Sequence, residues 1–213
     1  IYYSQVACSN EPAHVASGRF AAVSTLGMVI VALVSPILGA YADHTARKKP
    51  LLGLFLGLGL LSTAAMYFIH TGDWLLASVL FILANIGANA SFVFYDALLP
   101  HIASKDEIDR VSTAGYALGY VGGGLLLGLN LAWIMKPGMF GLPSGEGLSE
   151  SQATLPTRLA FVSVAVWWFV FSIPLFRRVP EPPVSGGERW AHLHPVRASF
   201  ARLREPAGAL SRC

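Results

Sequence analysis

Residues 39–50 read GAYADHTARKKP, a charged island between two long apolar runs, FAAVSTLGMVIVALVSPIL (20–38) and LLGLFLGLGLLSTAAMYFI (51–69). Each run is long enough to cross the roughly 30 Å hydrocarbon core of a bilayer, which needs about 20 apolar residues in a helix. Two spans joined by so short a polar turn form a helical pair whose turn lies at a membrane surface. The rest of the chain repeats the pattern. Further apolar blocks run approximately 74–97, 112–135 and 157–176, and the first two extend to 18–40 and 51–70; only HTGDW (70–74) separates the second from the third, which predicts a tight helical hairpin.

Composition supports this reading. Of 213 residues, 54% are hydrophobic and only 13% charged, about half the charged share of roughly 25% usual for a soluble domain. The blocks do not alternate apolar with polar residues, so they are not barrel strands. A lone span must satisfy its backbone hydrogen bonds within itself, which leaves helix. The expected fold class is an all-α integral membrane protein with five transmembrane helices. The two cysteines, Cys8 and Cys213, stand at opposite ends and offer no Cys-x-x-Cys metal or redox pair. HLH at 192–194 is too isolated for a metal site, and His44, His70 and His101 fall at predicted interfaces, where a solvated histidine is the ordinary case. No phosphate-binding loop, nucleophile elbow or His-Glu-x-x-His motif occurs, and the basic residues flank spans in no nucleic-acid-binding pattern. No cofactor, metal, enzymatic chemistry or nucleic-acid partner is expected.

Five spans put the termini on opposite sides. The face carrying 41–50, 98–111 and 177–213 holds twelve Lys and Arg residues, against three on the other face: Arg19, Lys136 and Arg158. The positive-inside rule assigns the richer face to the cytoplasm. The chain then begins outside, with Ile1 rather than Met, so an upstream helix is expected to precede it. The segment 136–156, rich in Gly, Ser and Pro, reads as an irregular external loop. Pro36 is expected to kink the first helix. Residues 179–213 read as a cytoplasmic linker whose basic residues lie against anionic headgroups.

Polar residues inside spans are the candidates for function. Ser78, Asn85, Asn89 and Asp96 step by seven, four and seven, which returns them to nearly one helix face. They form a stripe lining a solute pathway, or else the Asn pair joins neighbouring helices and Asp96 sits at the headgroups. In the fourth block Gly115, Gly119 and Gly123 are spaced by four, as are Gly124 and Gly128. Such glycines permit close helix packing, or bending and sliding during a conformational cycle. Asn130 continues this span and either pairs across helices or lines a cavity.

The opening island resembles the loop between helices 2 and 3 of the major facilitator superfamily, Gly-x-x-x-Asp-x-x-Gly-Arg-Arg/Lys. Gly39, Asp43, Arg47 and Lys48 fall on it in register, with Ala46 at the second glycine. FYDALLPHIA (94–103) and GYALGYVGGGLLLGLNL (115–131) look like the end of helix 4 and helix 5 of the Atg22-like (UMF1) family of facilitator permeases. The resemblance implies that residues 1–178 are helices 2–6 of an N-terminal six-helix half-domain whose helix 1 is missing. Residues 179–213 would lead to a second six-helix half. It implies a secondary transporter of a small solute, amino acids by family analogy, working by alternating access in a lipid bilayer. Asp43, Arg47 and Lys48 would belong to a cytoplasmic gate. The family's pattern often carries Asn at the position of Asp96. The third block holds no Arg of the kind proton-coupled drug antiporters carry in helix 4. Short loops and an Ala/Gly/Arg-rich composition point to a bacterial inner membrane. The reading from another class is a non-transporting membrane scaffold with a facilitator-like fold.

Overall fold

The computed structural model describes residues 2–9, 11–44, 47–104 and 106–181; the side chains of 4, 5, 40 and 42–44 lie outside that description. Five helices long and apolar enough to cross a membrane occur among the described residues: α1 (Ala13–His44), α2 (Lys48–Ala65), α3 (Trp74–Asp96), α4 (Ile108–Met135) and α5 (Glu150–Arg178). The chain is an all-helical, multi-pass integral membrane protein.

Each helix except α3 begins several residues before its apolar block. Hydropathy marks only the part of a helix that meets hydrocarbon, while hydrogen bonding continues into the headgroups. The largest discrepancy is at α5, and it corrects the expected 136–156 loop. Irregular backbone is confined to its first part, where Gly141, Gly145 and Gly147 take positive φ. Ser149 then starts a helix seven residues ahead of the apolar block. Its hydroxyl accepts the Gln152 N–H while the Gln152 side chain accepts the Ser149 N–H at 3.0 Å, a reciprocal capping box. The signal S-E-S-Q was present in the sequence, masked by the Pro and Gly around it. α1 continues as one helix through Pro36, and α5 through Pro156 and Pro174.

The α2–α3 connection is the tight hairpin expected of HTGDW. Gly72 sits at φ 89°, and the Asp73 carboxylate accepts the His70 N–H at 2.9 Å, closing the turn before α3. Antiparallel α2 and α3 form the most extensive helix pair; α1 packs on α3, α5 on α2, and α4 on α5.

What lets α2 and α3 come together is glycine against glycine. A β-carbon on Gly87 would lie 2.4 Å from the Gly59 amide nitrogen and 2.8 Å from the Phe55 carbonyl oxygen. One on Gly59 would lie 2.7 Å from the Trp168 ring of α5. Two backbones therefore touch directly, and the indole of the third helix fits the space a Gly59 side chain would take. Apolar clusters close both ends of this crossing. Leu52, Phe94 and Leu98, backed by Leu38, Phe55 and Phe176, fill the end carrying the α1–α2 turn. Ala7, Met66, Ile69 and Ala77 fill the other, beneath Tyr2 and Tyr3 of a short helical turn. The Tyr2 hydroxyl donates to the Ile69 carbonyl at 2.9 Å, and Tyr3 pairs with Ser78 at 2.7 Å. Burial pushes both phenols above the usual tyrosine range, so they remain protonated.

Overpacking a dense contact typically costs about 1–3 kcal/mol. Gly87→Ala should lower the stability of the full-length protein by that amount in thermal unfolding in detergent. Gly128→Ala, where an added β-carbon meets nothing within 4 Å, should stay within about 0.5 kcal/mol. Equal responses would contradict the crossing.

Candidate functional site

The turn that opened the sequence is tied to helix ends rather than spread over headgroups. α2 begins at Lys48 behind Arg47, whose side chain makes no cap. The orphan N–H groups of the first turn are met from 133 residues away: the Glu181 carboxylate accepts from Lys48 N at 2.6 Å and from Lys49 N at 3.0 Å. An anion at a helix N-terminus faces the positive end of the helix dipole. The two side chains do the converse. Lys48, only 4% exposed, donates from Nζ to the Ala97 carbonyl at the C-terminus of α3 at 3.3 Å and lies 3.3 Å from His101 Nε2. Lys49 Nζ donates to the Phe176 carbonyl in the last turn of α5 at 3.0 Å.

A buried ammonium costs several kcal/mol unless its protons are met. Lys48 is tolerable because the negative dipole end of α3 and a ring nitrogen converge there. Three helix termini are thus joined by two cations and one carboxylate, directly above the buried side chains of Leu52, Phe94 and Leu98. All of these groups belong to one helical unit, so the arrangement braces α2, α3 and α5 against one another.

Of the four gate-motif residues, Lys48 is part of this brace. Arg47 is exposed. Gly39 faces α3, where an added β-carbon would make an ordinary contact with Val93 at 3.8 Å. The Asp43 side chain lies outside the described residues, as do Ala46 and the linker from 182 onward.

The polar residues of the α3 stripe have separate partners among the described residues. Ser78 is buried at the far end, donating to the Trp74 carbonyl at 2.6 Å and paired with Tyr3. Asn85, half-buried, donates to the Phe81 carbonyl at 2.9 Å, and exposed Asn89 donates to the Asn85 carbonyl at 2.8 Å. Each amide spends one N–H on its own helix, which leaves its second N–H and its Oδ1 to meet other groups. Asp96 is exposed at the end of α3 and lines a cavity between α3 and α4. Asn130 is buried in the α4–α5 seam, accepting from the Ser163 hydroxyl at 2.9 Å. Nearby, Trp133 Nε1 donates to the Pro156 carbonyl at 3.1 Å. The α4 glycines face outward: a β-carbon on Gly119, Gly123, Gly124 or Gly128 would meet nothing within 4 Å, and one on Gly115 meets only the Tyr95 hydroxyl at 3.6 Å. Among the described residues no group of His, Cys, Asp and Glu could hold a metal ion.

Sequence reasoning missed Glu181, Lys49 and the Gly59–Gly87 contact. A signal existed for Glu181. α2 starts with no Ser, Thr, Asp or Asn in capping position, so its first amides needed an acceptor from elsewhere, and RRVPEPP places a carboxylate just past α5.

Comparison with known proteins gives a consistent picture. The family model described as Vacuole effluxer Atg22 like matches residues 12–205. The chain is 33% identical over 164 residues to the Uncharacterized MFS-type transporter YxiO of Bacillus subtilis, covering 77% of this chain and 36% of that protein. It is 26% identical over 217 residues to Autophagy-related protein 22 of Coccidioides immitis, covering 78% and 35%. Autophagy-related protein 22-1 of Aspergillus clavatus is 22% identical over 232 residues, covering 78% and 37%. The chain therefore spans about a third of the length of the curated relatives it matches. No solved structure gives a significant match.

Removing Glu181 should expose the first turn of α2. A cap or dipole partner is worth about 1–2 kcal/mol, so Glu181→Ala should speed hydrogen exchange at the Lys48 and Lys49 amides roughly tenfold. The amides around Gly59 should keep their protection. Unchanged exchange at Lys48 and Lys49 would show that the carboxylate does not cap the helix.

Proposed function

The chain belongs to the Atg22-like family of major facilitator permeases, and on that premise we propose that it forms the N-terminal helical unit of a secondary-active transporter for a small organic solute. The observation that carries the reading is the 33% identity to a protein named as an MFS-type transporter, over 77% of this chain. The geometry supports it. A unit that rocks against another must keep its own helices fixed while its contacts with the partner break. The Gly59–Gly87–Trp168 contact and the brace of Lys48, Lys49 and Glu181 supply that internal fixity.

In this reading residues 1–178 are helices 2–6 of a six-helix half, and 179–213 connect to a second half. The face bearing the brace is cytoplasmic, as the excess of Lys and Arg requires. Asp43 and Arg47 reach across to the second half and hold that side closed, and a solute that binds the two orientations unequally shifts the balance between them. Amino acids are the solutes to try first, and a bacterial inner membrane is the expected location. The first rests on family analogy, the second on the short loops and Ala/Gly/Arg-rich composition together with the Bacillus relative.

Counterflow separates a transporter from a scaffold, because alternating access lets the outward gradient of unlabelled solute drive labelled solute inward across a sealed membrane, which a scaffold cannot do. Proteoliposomes of the full-length protein, preloaded with unlabelled amino acids, should take up labelled amino acid transiently above the external level. Asp43→Asn should cut the rate about tenfold, the effect of roughly 1.4 kcal/mol on the gate equilibrium. Absence of counterflow with any small solute would favour the scaffold reading.

A further inference from the structure

The cavity between α3 and α4, about 560 Å³ in volume, falls within the range of about 300–1,000 Å³ that small-molecule sites occupy. Its lining is chemically narrow: the carboxylate of Asp96, the rings of Tyr95, Tyr116, Tyr120 and Phe92, and the Ser112 hydroxyl. The only ionisable group of fixed sign is therefore one anion, set among four aromatic faces. Gly115 and Gly119 form part of the α4 wall, and their missing side chains leave the space open; the Tyr95 hydroxyl sits 3.6 Å from where a Gly115 β-carbon would be. The structure gives Asp96 no ion-pair or hydrogen-bond partner among the described residues. The buried lysine of the brace is directed to Ala97 and His101 instead.

A carboxylate that meets no cation among the described residues, with aromatic rings lining the same cavity, is an arrangement suited to an organic ammonium. The charge is met by the anion, and the alkyl or methyl groups around it lie against the aromatic faces. We propose that this cavity is a binding site for a small organic cation, a protonated or quaternary amine, with Asp96 as its counter-ion and Tyr95, Tyr116 and Tyr120 as its aromatic wall. The site names the substrate class of the transporter and in that sense rests on the reading above, but its binding chemistry can be measured without transport. It also gives two of the outward-facing glycines of α4 a purpose other than helix packing: they make room.

The test compares choline and phenethylammonium with their uncharged isosteres. Binding is measured by calorimetry to the full-length protein in phosphatidylglycerol nanodiscs, where no lipid headgroup offers the same cation. Both cations should bind at least about tenfold more tightly than the neutral analogues, as a charge-assisted contact and cation–π attraction require. Asp96→Asn should remove that preference while leaving the unliganded unfolding temperature unchanged. Gly119→Leu, whose β-carbon would meet nothing within 4 Å, should fold normally and abolish binding of the cations. Equal binding of cations and isosteres, no binding of either cation, or an undiminished preference in Asp96→Asn would each overturn the proposal. Loss of choline binding in phosphatidylcholine nanodiscs would also overturn it, by reassigning the site to a lipid headgroup. Counterflow of solutes without preference for cations would sink the site and leave the transporter standing. Tight cation binding without any counterflow would do the reverse.

Discussion

Everything in this helical unit is arranged around the contact of Gly59 with Gly87. In hydrocarbon, apolar side chains gain little by leaving lipid for one another, so association depends on close packing and on the few polar contacts available. Backbone touching backbone gives α2 and α3 the largest contact they could make. It also fixes where their ends fall. Because Trp168 occupies the space beside Gly59, the same pair of glycines sets the depth of α5. α1 then rests on α3, and α4 reaches the bundle chiefly through α5, by way of the Asn130–Ser163 hydrogen bond and the Trp133 contact.

With the helices set at that depth, their termini meet at one face. The N-terminus of α2 and the C-termini of α3 and α5 carry dipole ends of opposite sign, and Lys48, Lys49 and Glu181 complement each of them. The opening island is therefore divided in two. Its basic end is turned inward and binds the unit to itself. Arg47, at the same turn, is exposed. That division fits a body that moves as a whole, since contacts within it must outlast contacts at its boundary. The cavity of Asp96 and the tyrosines opens where α4 stands away from α3, on the side the brace does not cover.

Much of this was legible in the residues and some was not, for physical reasons. The five spans follow from long uncharged runs, because the cost of a charge in hydrocarbon writes itself plainly into a sequence. The HTGDW hairpin follows from the shortness of its polar turn. The start of α5 was misread because hydropathy stops at the headgroups, whereas a capping box such as Ser149–Gln152 begins a helix in water. The glycines show a deeper difficulty. A run such as YVGGGLLLG attracts notice by its density, yet the contact that organises the unit uses single glycines 28 residues apart in sequence. Close approach depends on where two helix surfaces cross, and spacing along one helix does not carry that information. Glu181 was obscured for a related reason. It sits among prolines that read as a linker, and its partners are backbone amides, which have no side-chain signature.

We propose that these helices move as one rigid body within a larger transporter. It is tested most directly by spin-label distance measurements on the full-length protein in liposomes. One pair of labels would replace exposed Leu33 of α1 and exposed Leu61 of α2; a second would join Leu61 to a site outside this chain. On adding transported solute, the distance within the unit should hold while the distance across to the rest of the protein redistributes between two populations. A change in the Leu33–Leu61 distance, or two distances that both stay fixed during transport, would contradict the account.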